Sequence, residues 1–141
     1  MFLLDTNVVS ELRKAGPQNA DGNLISWATK QPVSSLFISA ITVLEIQLGI
    51  LQKQRKDPKQ AAVLTTWLEA HVLTTFADRI LPVDTSVALQ CAALHVPDPK
   101  SERDALIAAT ALIHGLTLVT RNIRDFEQTK LRLVNPWIAA Q

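Results

Sequence analysis

Four carboxylates and one amide fall where short apolar runs break off. Asp5 closes MFLL, Glu45 lies in ISAITVLEIQLGI, Asp104 in SERDALIAAT, and Asn122 and Asp125 in TRNIRDF. If these groups meet, they cannot all stay ionised alone, because two unit charges ~4 Å apart repel by about 4 kcal/mol at an effective dielectric of ~20. A divalent cation relieves that repulsion, and an oxygen-only donor set without His or Cys favours Mg²⁺ or Mn²⁺ over zinc. Such an ion beside a phosphodiester can bind a phosphate oxygen, lower the pKa of a water and stabilise the leaving oxygen. Each acid also has a plainer reading. Asp5, Thr6 and Asn7 are all N-cap types, and Thr42-x-x-Glu45 and Ser101-x-x-Asp104 have the form of capping boxes.

The elements decide whether the acids can meet. Residues 2–4 read as a short buried strand, followed by a helix from Asn7 to Lys14 that stops at Gly16-Pro17. A second helix, Asn23 to Lys30, is capped by Asn19 or Asp21, and Ser35 to Ser39 forms the next strand. Apolar spacing of three and four predicts a helix over Thr42 to Gln54, and Asp57-Pro58 starts another that runs to about Phe76. A strand over Arg79 to Val83 carries Pro82, which argues for a sheet edge. Helices from Asp84 or Thr85 to His95 and from Ser101 to Ile113 follow, then strands over Thr117 to Thr120 and Leu131 to Val134.

Strands separated by helices, never by two-residue hairpins, specify βαβ units. The expected fold is a single α/β domain over residues 1–141, with a mainly parallel sheet of four or five strands flanked by helices on both faces. Right-handed crossovers then bring the carboxyl ends of the strands to one rim, and Asp5, Glu45, Asp104 and Asp125 all fall near it.

Composition narrows the function classes. The chain has 141 residues, 48% of them hydrophobic and 19% charged, which is globular, and its net charge of +1 shows no broad cationic face for gripping nucleic acid in the totals, leaving only local basic clusters. The start, MFLLD, has neither a basic leader nor a small-residue cleavage site, so no signal peptide is expected and the cytoplasm is the expected compartment. The longest uncharged stretch, Ala105 to Thr120, falls short of the ~20 apolar residues of a spanning helix, so no membrane partner is expected. The one cysteine, Cys91, excludes internal disulfides and reads as a buried structural thiol.

The stretches LLDTNVVSEL, ISAITVLEIQLGI and DALIAATALIHGLTLVTRNIRDF resemble, in order and spacing, the motifs of PIN-domain ribonucleases. The likeness is to the VapC-type toxins of type II toxin–antitoxin modules, the FitB-like subgroup in particular, and it runs from residue 2 to about Pro136. It implies a Mg²⁺- or Mn²⁺-dependent endoribonuclease with Asp5 and Asp104 as the principal metal ligands. Glu45 would be a third acid, orienting water or holding a second ion. The family's fourth acidic position falls in TRNIRDF, where this chain has Asn122 and leaves Asp125 as the nearest carboxylate. Thr6, Asn7 and Thr120 match polar positions that line the family's site. Arg13, Lys14, Arg121 and Arg124 would hold flanking RNA phosphates. A cognate antitoxin, and a homodimer that absorbs the surplus of apolar positions between Thr42 and Phe76, are the implied protein partners.

The remaining residues favour other roles. His71, His95 and His114 form no helical pair or zinc spacing, and they read as surface or cap residues, which disfavours a two-histidine ribonuclease mechanism. Trp27, Trp67 and Trp137 read as core or subunit-interface packing rather than base-stacking residues. Two alternatives stand beside the toxin. One is a PIN-type nucleic-acid-binding module with weak or no catalysis; the other is a phosphatase of the haloacid-dehalogenase type, which wants a second acid where this chain has Asn7.

Overall fold

The computed structural model describes residues 1–14 and 19–139. Its core is a five-stranded, all-parallel sheet with the order β3-β2-β1-β4-β5. The strands are β1 (Phe2–Leu4), β2 (Leu36–Ser39), β3 (Ile80–Leu81), β4 (Thr117–Val119) and β5 (Leu133–Val134). The helices are α1 (Thr6–Leu12), α2 (Gly22–Thr29), α3 (Ala40–Gln54), α4 (Pro58–Trp67), α5 (Leu73–Thr75), α6 (Thr85–Leu94) and α7 (Glu102–His114). A π-helical turn, Leu68–Val72, joins α4 to α5, so the helix expected to reach Phe76 is present with one irregular turn.

Successive residues of β1 serve opposite faces, as strand alternation requires. Leu4 packs with Val8, Leu24, Ile46 and Val119 on one side, and Leu3 packs with Ile107, Ala108, Leu118 and Phe126 on the other. Both faces are therefore covered, which is why the strands are continuous apolar runs. No helix among the described residues is long and apolar enough to cross a membrane.

Three local readings are corrected. The α3 helix begins at Ala40, because Ser39 Oγ accepts the Ile41 N–H at 2.9 Å and so starts the helix before Thr42. Thr42 is therefore no cap, and Glu45 lies in the second turn. Ser101 precedes α7 without a side-chain capping bond, so neither of the two expected capping boxes forms. The edge strands β3 and β5 shrink to two residues each; Pro82 has no N–H with which to extend β3. Asp21 is the cap of α2, accepting from Leu24 N at 3.0 Å. The stop expected at Gly16-Pro17 lies outside the described residues.

Candidate active site

β1 lies at the centre of the sheet, and the chain builds outward from it on one side through β2 and β3, then returns to its other side with β4. The carboxyl ends of β1 and β4 thus frame the point where strand order reverses, the place where ligands bind in open α/β sheets. Asp5 follows β1 and Thr120 follows β4, and the Thr120 hydroxyl donates to Asp5 Oδ2 at 2.7 Å across that point. The other carboxylate oxygen, Oδ1, accepts the Thr6 N–H at 2.8 Å, so Asp5 also caps α1. Asn7 Nδ2 lies 3.4 Å from both Asp5 Oδ2 and Thr120 Oγ1.

A second set of bonds joins α1 to α3. The Thr6 hydroxyl donates to Glu45 Oε1 at 2.6 Å and stands 3.1 Å from the hydroxyl of Thr42, which is fully buried. Thr42 and Glu45 are three residues apart on α3 and so share a face. The TRNIRDF segment closes the site from β4: Arg121 N donates to Asn7 Oδ1 at 3.3 Å, and Asn122 N to Thr120 Oγ1 at 3.0 Å. Asp125 follows in a 3₁₀ turn, Ile123–Phe126.

The acids meet electrostatically. Asp5 is 5% exposed, and burial pushes its carboxyl above the usual range; the bonds from Thr120 and Thr6 N oppose the rise, and the charges of Glu45 and Asp125 add to it. Burial also raises Asp104, followed by the charges of Asp5, Asp125 and Glu45, with Arg103 alone pulling it down. Arg103 stands 3.9 Å from Glu45 Oε2 and is partly exposed. One such cation is little compensation for four carboxylates.

Asp5, Thr6, Asn7, Glu45, Asp104, Thr120, Asn122 and Asp125 are thereby gathered at one end of the sheet. The basic residues are less concentrated there. Lys14 is paired with Glu11 at 3.2 Å, Arg124 is an exposed residue of the 3₁₀ turn, and the Arg121 guanidinium stacks 5.3 Å from the centre of the Trp137 ring. Arg13 does border the site, on a groove that begins at Thr6 and Glu45. Thr42 and Arg103 are additions to the expected set. The signal for Thr42 was its position one helical turn before Glu45; for Arg103, its place next to Asp104.

A tighter group of ligand-type side chains lies elsewhere, between α6 and α7: Cys91, His95 and Glu102. Lys100 N donates to His95 Nδ1 at 3.0 Å, so the ring proton sits on Nε2, which faces Glu102 Oε2 at 3.3 Å. Cys91 is buried, and its thiol is pushed up by burial and by the Glu102 charge. With Nε2 protonated and the thiol neutral, the three form a hydrogen-bonded group that leaves no lone pair on the ring for an ion. The three tryptophans are partly buried against the larger core cluster, as expected.

The sequence pattern of the PIN domain family matches residues 2–131, and the chain belongs to that family. It is 37% identical over 142 residues to VapC ribonuclease Y4jK of Sinorhizobium fredii, spanning 97% of this chain and 98% of that one. Toxin FitB of Neisseria gonorrhoeae is 35% identical over 97% of this chain and 99% of its own. The crystal structure of FitAcB from the same organism superimposes with a TM-score of 0.84 at 37% identity, covering 97% of this chain and 99% of that one.

Proposed function

We propose that residues 1–141 form a single PIN domain acting as an endoribonuclease toxin of a VapBC-type toxin–antitoxin pair, in the cytoplasm where its RNA substrate lies. It hydrolyses phosphodiester bonds to leave 5′-phosphate and 3′-hydroxyl ends. The observation that carries the reading is the convergence of Asp5, Glu45, Asp104 and Asp125 at the strand-order reversal, with Asp5 buried and short of compensating charge. Relatives that match almost end to end and bear the names ribonuclease and toxin support it.

An oxygen-only donor set with excess negative charge fits a hard divalent cation, Mg²⁺ or Mn²⁺. Asp5 and Asp104 would hold it, with Glu45 and either Asp125 or Asn122 completing the site. When bound, the ion supplies charge stabilisation at the phosphate and a lowered water pKa. The chain's own residues hold the geometry. Thr120 and Thr6 N fix both oxygens of Asp5, and the Thr6 hydroxyl fixes Glu45 Oε1, leaving further lone pairs to orient and deprotonate a water. Asn7, whose amide donates toward Asp5, occupies the place of a phosphatase's second acid, which removes support for the dehalogenase-type alternative.

The protein partners have matching surfaces. A groove of about 580 Å³ leads from Thr6 and Glu45 past Arg13 and Lys53 to Ile50 and Trp67, and suits an antitoxin segment with apolar anchors and an acidic element. Leu44, Leu48, Leu51 and Val63 are exposed on α3 and α4, the surplus that a second copy would cover.

Incubating the chain with total RNA and Mn²⁺, then sequencing the cleaved ends, tests the reading. Discrete 5′-phosphate ends that vanish with Asp5→Asn are expected. Cleavage undiminished in Asp5→Asn, or products with 2′,3′-cyclic phosphate ends, would overturn it.

A further inference from the structure

A cavity of about 630 Å³ opens between α2 and the chain leaving β5. Asn23, Ser26, Trp27 and Lys30 recur at helical spacing and form its α2 wall, facing Asn135 and Pro136. Ile123 closes it from the turn after β4, and this joins the cavity to the acidic site. The segment 120–123 runs from one to the other: Thr120 binds Asp5, Arg121 N and Asn122 N tie back to Asn7 and Thr120, and Ile123, next in the chain, lines the cavity.

The lining chemistry is specific. Trp27 is fixed by an edge-on contact with Phe2, ring centres 5.1 Å apart at 84°, and offers the cavity an immobilised aromatic surface. Asn23 Nδ2 donates to the Trp137 carbonyl at 2.8 Å, and Asn135 Oδ1 accepts the Trp137 N–H at 3.0 Å. Those bonds leave the Asn23 carbonyl as an acceptor and the Asn135 amide as a donor, the pair that an unpaired nucleobase edge requires. Among the described residues Lys30 is the charged side chain that lines the cavity, and Arg121 stacks on Trp137, whose chain neighbours Pro136 and Ile138 line it. An aromatic wall, two amides and cations at the approach suit a base carried on a phosphate backbone.

We propose that this cavity is a nucleobase subsite, taking one unpaired base of the RNA strand that flanks the scissile bond, packed on Trp27 and read by Asn23 and Asn135. The proposal rests on the ribonuclease reading for its substrate, but binding without catalysis tests it separately. A short mixed-sequence oligoribonucleotide and its single-abasic derivatives are titrated by fluorescence anisotropy in EDTA, with cleavage in Mn²⁺ measured in parallel. Wild type is expected to bind one abasic derivative roughly tenfold more weakly than intact RNA, within the range for one base on an aromatic ring. Ser26→Trp, which fills the cavity from an exposed helix position, and Asn23→Ala should bind intact RNA more weakly and lose most of that discrimination.

Equal binding of intact and every abasic RNA by wild type overturns the subsite, and so does discrimination undiminished in both variants. Discrimination without cleavage in Mn²⁺ keeps the subsite and removes the nuclease reading. If Ser26→Trp leaves RNA binding unchanged but blocks capture of an antitoxin segment, the cavity is a protein-docking site and the proposal falls.

Discussion

Asp104→Asn removes one negative charge from the acidic site at almost constant volume. In wild type without metal, Asp104 faces the charges of Asp5, Asp125 and Glu45, opposed only by Arg103. A like-charge pair ~6 Å apart costs about 3 kcal/mol at an effective dielectric of ~20; solvent screening of the half-exposed Asp104 and the Arg103 offset leave a net cost on the order of 1 kcal/mol. The variant should therefore be more stable than wild type in EDTA at neutral pH, with Tm higher by roughly 3–5 °C. Mn²⁺ reverses the order. At a free ion concentration ~100 times its Kd, wild type gains about 2.7 kcal/mol, and a variant lacking a ligand gains much less. The sign with pH follows from burial of Asp104 first and from the same charges second. A carboxyl whose pKa is raised by folding takes up its proton before the unfolded chain does, so metal-free stability falls as pH rises from the ordinary value of 3.8 through the raised one. The loss is complete above the folded pKa, and it should be smaller in Asp104→Asn. Differential scanning calorimetry with and without Mn²⁺ reads all three effects. A variant less stable than wild type in EDTA, or a metal-induced rise equal to wild type's, would refute the argument.

Thr120→Val deprives Asp5 Oδ2 and Asn122 N of their partner, and urea denaturation should show a loss of about 2 kcal/mol together with a further upward shift of the Asp5 carboxyl. Asn122→Asp adds a carboxylate to the rim; calorimetric titration should show tighter Mn²⁺ binding while Tm in EDTA drops. If Asp125 fills the fourth site position, Asp125→Asn weakens Mn²⁺ binding and Asn122→Ala does not. Gly115 ends α7 with φ at +65°, so Gly115→Ala should cost about 1 kcal/mol in urea denaturation with cleavage unchanged.

The sheet and its helices were legible because both faces are covered and the strands are short, mainly apolar runs separated by helices. Less could be seen at the edges, where β3 and β5 form only two residues each. The capping boxes misled because spacing cannot tell a helix's start from its second turn: Ser39 begins α3 three residues before Thr42, which frees Thr42 to meet Thr6. Asp5 was correctly legible both as a cap and as a rim acid, since each oxygen does one job. The use of Arg121 could not be read, because its stacking on Trp137 depends on where the chain turns after β5.

The bond between Thr120 and Asp5 also sets a time. The two residues lie 115 positions apart, and β4 must pair with β1 before the hydroxyl reaches the carboxylate. At ~5–20 residues per second, a ribosome needs roughly 6–23 s between the two codons. During that interval the nascent chain has its first acid but no assembled pocket. Until β4 has been made and has paired with β1, a protein with this topology has no assembled acidic site.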